Sequence, residues 1–211
     1  MRAYKETYLS RAAKNLGGML DYAVNDCNLD GGLILHMFIT SRLAEQFERG
    51  SPRIIAGMSG VELVVQAIEA TTGIKPTAEP LERDYRTAEY WVGWALAHYQ
   101  WYSCISFSSI LRFLPFGDIA RLYPTLHEAD ITKFYAVVDE IRTREFPQTN
   151  LKHFRETAGL SQSQLAEQSE VSLRSVQMYE QRNRDINKAQ AITLARIARV
   201  LGCDVEDLLE S

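Results

Sequence analysis

Apolar residues recur every three or four positions along almost the whole chain, the period of an amphipathic helix. Leu9, Ala12, Ala13, Leu16, Met19, Leu20 and Ala23 form the first stripe. Asp30 can cap a second helix with Leu33, Met37, Leu43, Ala44 and Phe47 on its inner side, closed by Gly50, Ser51 and Pro52. Ser59-Gly-Val-Glu62 has capping-box spacing, in which the serine oxygen accepts an early backbone N–H and the glutamate reaches back. It opens a third helix through Leu63, Val64, Ala67 and Ile68, which Gly73 can stop. After the turn-rich connector "GIKPTAEP", Thr87 opens a helix carrying Trp91, Trp94, Ala95, His98, Trp101 and Tyr102. Shorter pieces come next at 110–114 and 119–122. Thr125-Leu-His-Glu128 repeats the capping-box spacing ahead of Ile131, Phe134, Val138 and Ile141. No segment alternates as a strand does, and there is no internal repeat or low-complexity tract. The pattern predicts an all-α chain.

The period breaks once, at "REFPQTN". Pro147 disfavours helix at Phe146, and Thr149 or Asn150 can cap the next helix. The expected organisation is a helical N-terminal domain over 1–144, a linker over 145–149 and a second helical domain over 150–211.

With 211 residues and a hydrophobic share of 46 %, two modest cores are within reach. The most apolar stretch, "YWVGWALAHYQWYSCISF", is too short and too polar for a spanning helix of ~20 residues, so a buried core helix is expected there and no membrane partner. The opening "MRAYKETYLSRAAKNL" is charged and mixed, without the apolar block of a secretory signal. Cys27, Cys104 and Cys203 are far apart and odd in number, with no CxxC pair and no histidine at ligand spacing. Neither a disulfide framework nor a metal site is expected; reduced thiols in a cytoplasm fit better. The formal net charge of −4 exerts no global pull on nucleic acid. The second domain nevertheless holds 8 basic against 5 acidic residues between Lys152 and Arg199. The remaining acids, Asp204, Glu206, Asp207 and Glu210, are grouped at the end, where they can be turned away from a DNA-facing surface.

Within that domain, "LSQSQLAEQSEVSLRSVQMYE" reads as helix, turn, helix. Ser161 caps the first helix, which buries Leu165 and Ala166. Ser172 caps the second, which buries Val176 and Tyr179 and exposes Leu173, Arg174, Ser175, Gln177 and Met178. An ordinary helical hairpin would carry a broader apolar stripe; here the exposed face is short, polar and close to the helix start, where a recognition helix meets base edges.

Residues Asn150 to Ser211 resemble the Cro/CI-type (lambda repressor-like) helix-turn-helix domain of the Xre family, on the strength of "LKHFRETAGLSQSQLAEQSEVSLRSVQMYEQ" and "ITLARIARVLGCDVEDLLE". The resemblance covers the last 62 residues and implies five helices, with Ser161–Gln168 the second and Ser172–Glu180 the third. It places Gln162 on phosphate, Leu173, Arg174 and Met178 at base-reading positions flanked by Ser175 and Gln177, and Arg155 and Glu180 in a buried ion pair. With the two caps Ser161 and Ser172, these form the candidate DNA-contact set. The chain departs from the family in two places. Glu170 stands at the usual turn glycine, where a left-handed conformation costs about 1 kcal/mol, so the turn is reshaped or held by a side-chain contact. Gln181 follows Glu180 where the family has a further glycine. Leu173 and Met178 are also less polar than typical readers; leucine can pack on a thymine methyl, while Met178 can be partly core.

The aromatic helix reads as core rather than a cofactor box, and His98 as a buried histidine with a satisfied partner. His36 and His127 are isolated. Glu82, Asp84, Glu128, Asp130, Asp139 and Glu140 lack a nucleophile, phosphate loop or metal spacing to work with, so no catalytic residue and no cofactor is expected. The expected function is a DNA-binding transcriptional regulator, a homodimer on double-stranded DNA. Its N-terminal domain would serve a protein partner, a ligand or self-association. The segments "NDC", "FERG", "GMSGVELV", "YWVGWALAHYQWY" and "YPTLHEAD" resemble an N-terminal extension of some bacterial Xre regulators, including antitoxins encoded beside small toxins. An antitoxin that neutralises its toxin through 1–144 is therefore the alternative, and an enzyme with an appended DNA-binding domain ranks below both.

Overall fold

The computed structural model describes residues 3–145 and 148–210, and these contain helices and connecting turns with no strand. They divide into two compact units, Met1–Arg142 and Thr143–Ser211. The break expected at Phe146 and Pro147 lies outside the described residues.

The N-terminal unit is built around α1 (Leu9–Asp21), whose last turn widens into a π-helical turn over Tyr22–Asp26. All seven apolar residues of the first stripe are buried. The chain continues through α2 (Gly31–Thr40), α3 (Leu43–Glu48), α4 (Pro52–Ile55), α5 (Gly60–Thr72), α6 (Ala88–Ser103), α7 (Phe107–Phe113), α8 (Phe116–Leu126) and α9 (Ile131–Glu145). Local hydrogen bonds start several of these helices. The Asp30 carboxylate accepts from Leu33 N, Ser59 and Glu62 form a reciprocal box, and Thr87 Oγ1 accepts from Tyr90 N.

α1 packs closely on α6 and α5, and glycine makes both crossings. A Cβ on Gly93 would stand 2.3 Å from Leu16 O and 2.9 Å from Gly17 Cα, and one on Gly60 2.4 Å from Gly18 C. Backbone therefore lies on backbone. In the same core, the buried Phe38, Phe47 and Phe107 meet edge to face at 5.5–6.0 Å, the geometry favoured by the ring quadrupole. On α6, Trp91, Tyr99 and Trp101 are buried, whereas Trp94, His98 and Tyr102 are half-buried. Tyr99 Oη donates to Asp139 at 2.7 Å. His98 Nδ1 lies 3.4 Å from Tyr135 Oη, its ring 4.2 Å from that of Trp94, and burial pushes its pKa down to about 4.

Two expectations need correction. In α2, Leu33 is 42 % exposed and Met37 half-buried, while Ile34, Leu35 and Phe38 face the core. Leu33 shares its side of the helix with the exposed His36 and Thr40, so that side is the solvent face and not the inner one. Thr125–Glu128 is not a helix start: Thr125 lies in the last turn of α8, its hydroxyl donating to Leu122 O. The next helix starts at Ile131, just after Asp130, whose carboxylate accepts from Thr132 N.

The C-terminal unit contains α10 (Asn150–Thr157), α11 (Gln162–Ser169), α12 (Leu173–Glu180), a 3-10 turn at Ile186–Lys188, α13 (Ala191–Leu201) and α14 (Val205–Leu208). Their inner faces meet at Leu151, Leu165, Ala166, Val176, Tyr179, Ile186, Leu194, Ile197, Ala198 and Leu208.

Candidate nucleic-acid interface

Each helix of the corner has its own N-terminal cap. Ser161 Oγ accepts from Gln164 N at 3.1 Å while Gln164 Oε1 accepts from Ser161 N at 2.8 Å, satisfying two orphan donors of α11. Ser172 Oγ accepts from Ser175 N at 3.1 Å and donates to Ser175 Oγ at 2.8 Å. This fixes the first turn of α12 while leaving the Ser175 hydroxyl hydrogen able to donate outward.

Between the caps, Glu170 is left-handed, at φ 53° and ψ 32°. Val171 N donates to Ala166 O at 3.1 Å, the Schellman bond that closes a helix C-terminus. The corner thus keeps a glycine-like geometry without glycine. Arg196 of α13 lies beside it, with Nη2 3.4 Å from Glu170 Oε2 and Nη1 donating to Glu170 O at 3.5 Å. Both side chains are exposed, so the pair contributes little, about 0–1 kcal/mol, on the scale of the backbone strain it accompanies.

After α12, the residue in the left-handed region is Arg182, at φ 55°, and not Gln181, which is right-handed at φ −87°. The glycine-like position is one residue later than the sequence suggests, because Gln181 still completes the last helical turn, its N–H donating to Gln177 O at 2.9 Å. Arg182 pairs with Glu210 at 3.1 Å and donates to Gln148 O at 3.1 Å. Asp204 and Asp207 form the box that starts α14. Glu210 also receives Asn150 N at 2.8 Å. Asp204 and Asp207 are thus engaged in starting α14, and Glu210 in holding Asn150 and Arg182.

A buried polar cluster joins α10 and α11 to the end of α12. Arg155 donates to Glu180 from Nε at 2.6 Å and from Nη2 at 3.0 Å, and its Nη1 donates to Leu160 O at 2.7 Å. The two side chains are 9 % and 2 % exposed. The Glu180 carboxylate beside Arg155 pushes the guanidinium pKa further up. Gln162 Nε2 donates to the same carboxylate at 2.8 Å. Gln162 is thus half-buried and tied to the end of α12, with one amide N–H left over.

The remaining candidates separate by exposure. Leu173, 39 % exposed, and Arg174 project from the first turn of α12. Ser175, Gln177 and Met178 are half-buried. Sequence reasoning passed over Arg196, which only the fold brings to Glu170. It also passed over Arg184, exposed just beyond α12 with its guanidinium 5.4 Å from the Tyr179 ring centroid; the local excess of basic residues was the signal that could have flagged it. Among the described residues no group of His, Cys, Asp or Glu could hold a metal ion, and no helix is long and apolar enough to cross a membrane.

Comparison with curated proteins and with solved structures gives no match. A helix-turn-helix family model matches residues 151–208, the span that holds all of α11, α12 and α13, and the C-terminal unit is accordingly a helix-turn-helix domain of the Cro/CI type in an all-α chain.

Proposed function

We propose that this chain is a sequence-specific transcriptional regulator that acts by occupying an operator, with α12 in the major groove. The observation that carries the reading is the capped corner of α11 and α12, within the helix-turn-helix match, presenting Leu173 and Arg174 from the first turn of α12. Arg174 would read guanine, Leu173 would meet a thymine methyl, and Ser175 would donate from its free hydroxyl hydrogen. Ser161, Ser172, Gln177 and Met178 would border this surface, and Arg184 would meet phosphate. Gln162, held by Glu180, would reach phosphate only through its second amide N–H. The protein would act as a homodimer on a two-fold site, and the N-terminal unit would supply self-association or an input.

Selection of bound genomic DNA with the full-length protein tests this. A recovered two-fold motif is expected, with Arg174→Ala weakening specific binding by about 1–3 kcal/mol and relaxing one position of the motif. Equal affinity for the selected site and for random duplex would refute the proposal. Unchanged preference in Arg174→Ala would remove Arg174 from the reading face.

A further inference from the structure

The N-terminal unit contains a cavity of about 230 Å³ that DNA binding does not use. Tyr90, Trp91 and Trp94 of α6 line it together with Tyr123 of α8, His127 and the preceding Arg86 and Thr87. The walls are mostly rings. Trp91 and Tyr123 meet edge to face at 5.7 Å, and Tyr123 and His127 lie 4.5 Å apart. The Trp94 indole N–H has no hydrogen-bond partner among the described residues.

Arg86 supplies the charge. Its guanidinium lies 4.8 Å from the Tyr90 ring centroid, and no carboxylate among the described residues lies within ion-pair distance of it. The nearby Asp21 is already engaged by Thr87 Oγ1 at 2.6 Å and Arg83 at 3.8 Å. The backbone on both sides of Arg86 is held in place: Arg83 pairs with Asp26, Leu81 N donates to Asp26 at 3.2 Å, and Thr87 caps α6. This preorganisation lowers the ordering cost of binding.

Size and charge then select the occupant. An apolar cavity of about 150 Å³ accepts benzene, so this one suits one aromatic ring with a small substituent. Ring faces alone would also attract a cation, but an unpaired guanidinium repels a cation and matches a carboxylate fork. We propose that the cavity binds a small aromatic carboxylate, its ring among Tyr90, Trp94 and Tyr123 and its carboxylate on Arg86. This site is independent of the DNA-binding reading and would give the N-terminal unit a chemical input.

The test titrates the full-length protein with benzoate by calorimetry, with benzamide and benzylammonium as neutral and cationic counterparts. Benzoate should bind with a dissociation constant between about 10 µM and 1 mM, as suits so small a ligand. Benzamide should bind at least about tenfold more weakly, and benzylammonium should not bind detectably. Arg86→Gln, at an exposed position, should keep its thermal unfolding profile and lose benzoate affinity to the level of benzamide. Trp94→Leu should weaken both ring ligands alike. No benzoate binding up to about 10 mM, equal affinity for benzoate and benzamide, preference for benzylammonium, or full affinity in Arg86→Gln would each overturn the proposal.

Discussion

Replacing Glu180 with alanine removes the acceptor of three hydrogen bonds and leaves the Arg155 guanidinium buried with only Leu160 O and the outlying Glu156, 3.5 Å away. Breaking a buried pair by removing one partner costs about 3–5 kcal/mol. A unit the size of Thr143–Ser211 has in total about 3–10 kcal/mol. Glu180→Ala should therefore remove much or all of the stability of the C-terminal unit while leaving the N-terminal unit folded. The probes must be chosen accordingly. All three tryptophans, Trp91, Trp94 and Trp101, are in the N-terminal unit, so their fluorescence reports on that unit alone. Far-UV circular dichroism reports on both, and hydrogen exchange of the α11 and α12 amides isolates the domain of interest. The expected result is a loss of protection there with an unchanged tryptophan transition. Arg155→Met combined with Glu180→Leu should recover much of the loss, because the ion pair's net value is small once its desolvation is counted. A double-mutant cycle giving a coupling below about 0.5 kcal/mol would refute the reasoning, since two groups that share hydrogen bonds at 2.6 and 3.0 Å cannot be energetically independent if those bonds orient α12.

Gly93→Ala should cost about 3 kcal/mol or more, because the new Cβ meets backbone of α1 that cannot step aside; Gly117→Ala, with nothing within 4 Å, should be neutral or slightly stabilising. Equal melting temperatures for the two would show that the crossing has slack. Glu170→Gly should lie within about 0.5 kcal/mol of the parent, since relief of left-handed strain is offset by glycine's chain entropy and the lost Arg196 pair; a larger loss in hydrogen-exchange stability of α11 would mean that Arg196 contributes more than an exposed pair should. The half-buried His98 ring makes the stability of the N-terminal unit depend on pH. Its folded pKa of about 4 lies below the unfolded ~6.5, so the unfolded chain takes up the proton first. That contribution is fully present above pH ~6.5 and lost as pH falls toward ~4. Discounted for partial exposure, the loss is about 1–2 kcal/mol, and His98→Gln should flatten the pH dependence of the tryptophan-monitored urea transition by that amount. Parallel pH profiles for parent and variant would refute it.

The order of residues alone settles what is local. A cap needs only an acceptor side chain and a backbone three residues on, so Asp30, Ser59, Thr87, Ser161 and Ser172 could be read without knowing what surrounds them. The helical period, the all-α class and the helix-turn-helix corner are legible for the same reason, each being written within a few turns of chain. Packing settled whatever depended on a neighbour distant in sequence. It set Ile34, Leu35 and Phe38 as the inner face of α2 and left Leu33 on the exposed side with His36 and Thr40, because the neighbours that cover a helix come from distant chain. It gave Gly17 and Gly93 their meaning, since a close crossing exists only once both helices are placed. It turned Gln162 to Glu180 and brought Arg196 to Glu170, pairings set by the packing of α11 on α12 and α13. It also gathered Arg86, Trp94 and Tyr123 around one cavity: helical spacing can align rings along α6, but only the docking of α8 brings Tyr123 opposite them.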